Sequence, residues 1–290
     1  MLRAALIARR SLPAALDAMT EAATWLSAHG ATPSIESESA RAAGLGGRWP
    51  TTSRAALARE SDVVIAFGGD GTLLDAANAV THSDGDAPLM GVNLGRLGFL
   101  TEVGRDDMFD AFEDVLAGRT RVETRLVLEG AVERGGTISA RRFALNDIVV
   151  TRGALSRMIE MTVKVDSQFI CAVKADGLIV ASATGSTAYN LSAGGPVVHP
   201  AVDALVLTPI APHTLTHRPL VLPADVRIEL RPIIEPQSDI VATFDGQHGQ
   251  PLIKDDVVHI GRAPRVLKLL RVNKRSHFDM LREKLKWGNV

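Results

Sequence analysis

The sequence has little of several features that define common protein classes. It contains one cysteine, Cys171, among 290 residues. A single thiol excludes an internal disulfide framework and favours a reducing compartment, so we expect a cytoplasmic protein. Only 4% of the residues are aromatic, which leaves little for base-stacking platforms. The formal net charge of −1 gives no electrostatic basis for nucleic-acid binding, and we expect no nucleic-acid partner.

Long apolar runs are also missing. No stretch approaches the roughly 20 residues that a membrane-spanning helix needs, and we expect no membrane partner. The eight histidines show no spacing typical of zinc ligands, so we expect no metal held by the protein alone. With 46% hydrophobic and 22% charged residues, the composition is that of an ordinary globular protein.

The first 118 residues alternate between apolar strands and helical stretches. Strands are predicted at 2–8, 32–35, 62–67 and 88–93, and helices at 13–28, 53–59, 73–81 and 106–117. Ser11 is expected to cap the first helix, and residues 36–50 are expected to form a loop. This alternation is typical of an α/β domain with a parallel sheet.

After Gly118 the pattern changes to short strands separated by turn residues. These strands are predicted at 122–129, 138–143, 148–151, 159–165, 169–173, 178–182, 226–230, 240–244 and 257–260. Helical spacing returns near the C-terminus, where Phe278, Leu281 and Leu285 fall on one stripe. We therefore predict three parts: an α/β domain at 1–118, an all-β domain of packed sheets at 119–270, and a C-terminal helix within 271–290 that returns to the first domain.

A stretch of small residues near the middle of the chain is one candidate ligand site. An apolar strand at 178–180 leads through small and hydroxyl residues, 182–187, into a short helix predicted at 188–193. Gly194-Gly195-Pro196 then ends the helix. The first N–H groups of such a helix can meet a polar ligand, and Tyr189 offers a flat face for a ring.

A second turn, Gly68-Gly69-Asp70-Gly71-Thr72, follows the strand predicted at 62–67. Ligands of α/β sheets bind outside the carboxyl ends of the strands, and glycines leave room for a phosphate against backbone N–H groups. Asp70 beside a phosphate would bind Mg²⁺ through water or accept a proton from an attacking hydroxyl. The alternative is that Asp70 only caps the following helix. Because no lysine or arginine follows Gly71 directly, we expect Mg²⁺ to matter more than in Walker-type enzymes.

These two turns resemble motifs of the NAD kinase family, and further motifs follow in the order that the family has. They lie at 93–101, 145–147, 176–196 with 199–200, 208–223, 244–247 and 281–285. The resemblance runs from about residue 60 to the C-terminus. It implies phosphorylation of the adenosine-ribose 2′-hydroxyl of NAD by ATP with Mg²⁺, giving NADP and ADP, and a homodimer or homotetramer.

The resemblance also assigns roles to individual residues. Asp70 would be the general base. The loop at the ATP phosphates would consist of Gly68, Gly69, Gly71 and Thr72. The NAD-binding residues would be Asp70, Gly71, Phe99, Asn146, Asp147, Arg157, Lys174, Asp176, Thr187, Ala188, Tyr189, Ser192, Ala211 and Gln247.

Three positions refine this assignment. A basic residue at the position of Lys174 accompanies restriction to ATP within the family, so we expect ATP rather than polyphosphate as the donor. Many relatives have Glu where this chain has Asp147, whose side chain is shorter by about one methylene. The family often has Pro where this chain has Ala183, and the freer φ of alanine should loosen the turn without abolishing binding.

Other functions remain open at this point. Lipid kinases of the diacylglycerol type and phosphofructokinases share the Gly-Gly-Asp-Gly motif, which therefore does not separate them from NAD kinases. The segment 184–196 and the Asn146-Asp147 pair favour a dinucleotide acceptor. A non-catalytic NAD-binding regulator is a third possibility, although an intact Asp70 favours an enzyme. Taken alone, Asn146 and Asp147 are ordinary turn residues, and Tyr189 is an ordinary core ring.

Overall fold

The computed structural model describes residues 1–95, 98–153, 158–214, 216–235, 239–272 and 275–287. The chain divides into two compact units. Unit 1 comprises Met1–Thr124 and Leu267–Val290, and unit 2 comprises Arg125–Val266. No helix within the described ranges is long and apolar enough to cross a membrane.

Unit 1 is built on a parallel sheet. Its strands are β1 (Arg3–Ala8), β2 (Thr32–Glu36), β3 (Thr51–Thr52), β4 (Val63–Phe67), β5 (Leu89–Asn93) and β6 (Val103–Gly104). Its first helices are α1 (Pro13–Ala28), α2 (Ser37–Ala42), α3 (Asp70–His82) and α4 (Met108–Leu116). The strands follow the order β3-β2-β1-β4-β5, and neighbours run parallel. Every residue of β4 and β5 is buried, as expected of strands covered on both faces.

Local sequence explains most of these elements, although several details differ from the prediction. Helix α1 has the predicted bounds, with Pro13 in its first turn, but its N-cap is Leu12 and not Ser11. The predicted loop 36–50 contains α2, because the Glu36 carboxylate caps it by accepting the Ser39 N–H. The helix predicted at 53–59 is a single 3₁₀ turn, Arg54–Ala56.

In its described residues, unit 2 is all β apart from one short helical segment. Its strands are β7 (Arg121–Arg134), β8 (Thr137–Ala144), β9 (Asp147–Arg152), β10 (Ile159–Val165), β11 (Gln168–Ala175), β12 (Gly177–Ser182), β13 (Ala204–Ile210), β14 (Leu220–Pro223), β15 (Ile228–Ile233), β16 (Ile240–Phe244), β17 (His248–Leu252) and β18 (Val257–Arg271). The first residues of β7 and the last of β18 belong to unit 1. The short helical segment is a 3₁₀ turn, Thr184–Thr187, followed by α5 (Tyr189–Ser192).

The strands of unit 2 form two antiparallel layers that share one core. One layer has the order β14-β13-β12-β9-β16-β17, and the other contains β11-β10-β15-β18. Val150 and Val180 from the first layer lie in the same buried cluster as Val163 and Leu230 from the second. The predicted fold class, a parallel α/β part followed by packed antiparallel sheets, is confirmed.

The last helix, α6 (His277–Leu285), belongs to unit 1 with the end of β18. Ser276 and Asp279 form a reciprocal capping box that fixes its start. Of the predicted apolar stripe, Leu281 is buried but Phe278 is 60% exposed. The stripe therefore anchors the helix through Leu281.

Candidate functional site

The Gly-Gly-Asp-Gly loop of unit 1 begins where β4 ends, and α3 starts within it. Gly68 has a φ of +154°, which L side chains rarely adopt. A Cβ at Gly68 would also overlap the side chain of Thr72. This position therefore accepts only glycine, and the turn brings residues 68–72 to the carboxyl edge of the sheet.

The Asp70 carboxylate binds a neighbouring loop rather than capping its own helix. Oδ2 accepts the Phe99 N–H at 2.8 Å. Oδ1 accepts the Leu100 N–H at 3.2 Å, the Thr101 N–H at 3.0 Å and the Thr101 hydroxyl at 2.8 Å. The N-cap of α3 is Gly69, with no side-chain cap. The capping alternative is therefore wrong, and Asp70 instead ties residues 99–101 to the first turn of α3.

This arrangement brings together all the site residues predicted in unit 1, including Phe99. Among the described residues, three of these donors face Oδ1 and one faces Oδ2, so Oδ2, with about two lone-pair sites, keeps capacity for a further donor. Gly98 allows this contact, since a Cβ there would overlap the Asp70 carboxylate. Oδ2 is therefore the oxygen of Asp70 with an acceptor site left for a substrate hydroxyl.

A polar cleft of about 450 Å³ lies beside the loop. It is lined by Ala8, Arg9, Arg10, Ser11, Gly69, Gly71, Thr72 and Asp75. The first of these residues come from the end of β1, which pairs with β4 so that Ala8 lies opposite Phe67. Sequence reasoning missed Arg9 and Arg10; the available signal was a basic pair directly after a buried strand.

In unit 2, the Asn146-Asp147 segment is held from two sides at the start of β9. Asp245 accepts the N–H groups of Leu145 at 2.8 Å, Asn146 at 2.7 Å and Asp147 at 3.2 Å. The Ser182 hydroxyl donates to the Leu145 carbonyl at 2.6 Å, and the Ser182 N–H donates to the Asn146 carbonyl at 2.9 Å. These bonds fix the orientation of the segment.

The small-residue turn after β12 packs directly on this segment. A Cβ at Gly185 would overlap the Asn146 carbonyl oxygen, so glycine permits the contact. Asn190 is fully buried, accepts the Thr208 hydroxyl at 2.6 Å, and donates to the carbonyls of Ser186 and Pro196 at 2.9 and 3.0 Å. Tyr189 is 46% exposed, unlike an ordinary core ring.

One end of the six-stranded layer thus carries a first group of predicted NAD-binding residues. The group consists of Asn146, Asp147, Thr187, Ala188, Tyr189, Ser192 and Gln247. Gln247 belongs to it through the turn between β16 and β17, since Phe244 pairs with Ile148 next to Asp147. Asp245, which holds the group together, was not among the predicted site residues.

Asp147 is 5% exposed and lies near a second acid, the half-buried Asp245. Burial, and secondarily the charge of Asp245, raises the pKa of Asp147 from 3.8 to about 7. Burial also raises the pKa of Asp245, against the effect of its three N–H donors. Asp147 therefore changes its charge close to neutral pH.

A second group of predicted residues, Lys174, Asp176 and Ala211, lies at the opposite end of β12. Asp147 pairs with Ala181, five residues from Asp176, which corresponds to roughly 17 Å along a strand. The Asp176 carboxylate binds Arg152 at 2.8 Å, and Ala211 has a φ of +45°. Unit 2 does not bring its two groups together. The predicted Arg157 lies outside the described residues.

Comparison with known proteins places this geometry in a family. Residues 5–120 match the ATP-NAD kinase N-terminal domain, and residues 145–272 match the ATP-NAD kinase C-terminal domain. The chain is 40% identical over 288 residues to the NAD kinase of Citrifermentans bemidjiense, covering 99% of each chain. It is 48% identical over 231 residues to the NAD kinase of Heliobacterium modesticaldum, covering 79% of this chain and 80% of the relative.

Solved structures agree with these matches. The crystal structure of yeast NADH kinase complexed with NADH has a TM-score of 0.90 and 25% identity, covering 100% of this chain and 89% of that chain. An NAD kinase from Archaeoglobus fulgidus in complex with ATP has a TM-score of 0.75 and 23% identity, covering 98% of this chain and 99% of that chain. The second likeness concerns the fold alone.

Proposed function

The chain belongs to the NAD kinase family, and on that premise we propose that it transfers the γ-phosphoryl group of ATP to the 2′-hydroxyl of the adenosine ribose of NAD. The products are NADP and ADP. The observation that carries the proposal is the placement of Asp70, fixed in the first turn of α3 beside a polar cleft that the Gly-Gly-Asp-Gly loop lines. Phosphoryl transfer depends on this kind of positioning more than on covalent chemistry.

Asp70 is the proposed general base. A secondary hydroxyl is a poor nucleophile at neutral pH, so a carboxylate that takes its proton is chemically apt. As the bond from the ribose oxygen to the γ-phosphorus forms, the bond from that phosphorus to the β–γ bridging oxygen breaks, and ADP leaves. Mg²⁺ enters as part of the MgATP substrate and neutralises phosphate charge. The incoming hydroxyl is proposed to donate to Oδ2, which accepts one hydrogen bond, from Phe99, among the described residues.

Unit 2 is the proposed recognition unit for NAD. Asn146 and Asp147 offer amide and carboxyl groups for sugar hydroxyls, and the exposed Tyr189 ring offers a stacking surface for adenine. Asp176 is proposed to contact the nicotinamide end. Arg157 and Lys174 are proposed as basic contacts, and Lys174 as the residue that restricts the donor to ATP.

Following the family, we propose that the protein acts as a homodimer or homotetramer. Light scattering coupled to size-exclusion chromatography measures this state directly.

The first experiment measures NADP formation from NAD, ATP and Mg²⁺ with an NADP-specific dehydrogenase. Asp70→Asn should lower turnover by about 10²- to 10⁴-fold while NAD binding, followed by calorimetry, is largely retained. Asp110→Asn, an exposed acid on α4, is the matched control and should keep the wild-type rate. A near wild-type rate in Asp70→Asn would contradict the role as base.

The same assay separates the alternatives. Polyphosphate in place of ATP should give little product, and comparable rates would refute the proposed restriction to ATP. A folded wild-type protein that binds NAD without turnover would favour the regulator. A folded protein that does not bind NAD would favour the lipid or sugar kinases.

A further inference from the structure

We propose that Arg9 binds the phosphate chain of the ATP donor and supplies the cation that the Gly-Gly-Asp-Gly loop lacks. The inference rests on the proposed function, because it names a donor subsite beside Asp70. The segment from Gly68 to Asp75 contains no lysine or arginine. A transferred phosphoryl group needs positive charge close by in addition to its metal ion.

The backbone places Arg9 at the edge of the sheet where the loop begins. Its N–H donates to the Phe67 carbonyl at 2.9 Å, so the residue after β1 is fixed next to the residue before Gly68. Arg9 lines the same cleft as Gly69, Gly71 and Thr72. The cleft volume of about 450 Å³ lies within the range of small-ligand sites.

The charges around the cleft leave Arg9 available for an anion. Asp75, the acid that lines the cleft, is paired with Arg54 at 2.7 Å. Arg10 is paired with Glu38 at 3.1 Å. Within the part of the chain that the structure describes, the guanidinium of Arg9 contacts only the Ser11 hydroxyl, through Nε at 3.3 Å. In those described residues Arg9 forms no ion pair, whereas Arg10 and Arg54 each do.

The chemistry of the cleft fits phosphate better than other anions. A guanidinium donates two parallel hydrogen bonds to one phosphate group. The first turn of α3, a helix of 13 residues, borders the cleft through Gly71 and Thr72 and adds the positive end of its dipole. A chain of phosphates could therefore contact Arg9 at one side and the loop at the other.

The test compares Arg9→Ala and Arg9→Lys with the wild type. Arg9→Ala should raise the KM for ATP by about tenfold to a hundredfold, as for loss of a charged hydrogen bond, and leave the KM for NAD within about twofold. Arg9→Lys keeps the positive charge but not the paired hydrogen bonds of a guanidinium. Its KM for ATP should lie between those of the wild type and Arg9→Ala. Arg59→Ala, an exposed arginine of unit 1 outside the cleft, is the control and should match the wild type.

Calorimetry with inorganic tripolyphosphate tests binding without catalysis. Wild-type protein should bind it, and Arg9→Ala should bind at least about tenfold more weakly. An equal affinity in both proteins, or a rise in the KM for NAD instead of ATP, overturns the inference. If the wild type makes no NADP but binds tripolyphosphate through Arg9, the proposed function fails and the anion site stands.

Discussion

The carboxyl group of Asp147 gives unit 2 a pH-dependent stability. Its pKa is about 7 in the folded chain against 3.8 for the ordinary group. The folded state therefore holds an extra proton between these values, and its stability falls as pH rises through 7. Over the two pH units from 5 to 7, the free energy of unfolding falls by about 3 kcal/mol.

Asp147→Asn removes this dependence, because an amide does not ionise. We expect the wild type to lose about 3 kcal/mol of unfolding free energy relative to Asp147→Asn between pH 5 and pH 8. Urea unfolding at both pH values measures the difference. Asp110→Asn should follow the wild type, and parallel pH curves for wild type and Asp147→Asn would contradict the assigned pKa.

Asp245→Asn separates the two causes of the shift. Asparagine tolerates the left-handed backbone of Asp245, whose φ is +51°, so the main changes are in charge and hydrogen bonding. Removal of this charge should lower the pKa of Asp147, and the loss of stability should move to lower pH. If the pH midpoint of the stability loss is the same in Asp245→Asn as in the wild type, burial is the only cause of the raised pKa of Asp147.

At the scale of elements, the contact between the turn after β12 and the start of β9 depends on Gly185. Gly185→Ala places a methyl group against the Asn146 carbonyl and should cost about 1–3 kcal/mol of unfolding free energy through overpacking. It should also weaken NAD binding, because the turn and the Asn146-Asp147 segment must separate. Urea unfolding and calorimetry with NAD measure both effects.

Gly261→Ala is the matched control in the same unit. A Cβ there would meet only the Val226 carbonyl oxygen at 3.5 Å, an ordinary contact, so stability and NAD binding should change little. If Gly185→Ala and Gly261→Ala lose equal amounts of stability and NAD affinity, the contact at Gly185 has no special role.

Elements with strong local signals could be predicted from the sequence, and those with conflicting signals could not. Pro13 and the glycine that follows the helix predict α1 at its observed bounds. The prediction omits strands β13 and β17, each of which contains a proline, Pro209 or Pro251, and proline lowers any strand prediction.

The candidate site likewise has parts that could be predicted from the sequence and parts that could not. The positions of the two turns follow from local sequence, because glycines and small residues mark them. The partners of Asp70 lie about 30 residues away, and Asp245 lies about 100 residues from the segment that it holds. No local pattern encodes such contacts, so the sequence could not show that residues 99–101 donate to Asp70 or that Asp245 is needed.

At the scale of the whole molecule, the last residue of β18 holds residues 100–102, which lie next to Asp70. The buried Arg271 donates to the Leu100 carbonyl at 3.3 Å and pairs with Glu102 at 3.0 Å and Glu123 at 3.2 Å. All of these residues belong to unit 1. Residues 100–102 therefore contact both Asp70 and the last strand.

Arg271→Met should destabilise the protein by about 3–5 kcal/mol, because it leaves buried Glu102 without this cation. Chemical denaturation measures the loss, and turnover at saturating substrates should fall with it as residues 100–102 shift. Arg41→Met removes an arginine of unit 1 whose side chain is 75% exposed and should change stability by less than about 1 kcal/mol. Wild-type stability in Arg271→Met would contradict the supporting role.

The position of Arg271 in the chain also has a consequence during synthesis. It lies 171 residues after Leu100 and 169 residues after Glu102. A ribosome that has completed the first 124 residues has made every other part of the loop that surrounds Asp70, yet the guanidinium that holds this loop is still untranslated. The loop that surrounds Asp70 therefore reaches its final form only after Arg271 has been translated.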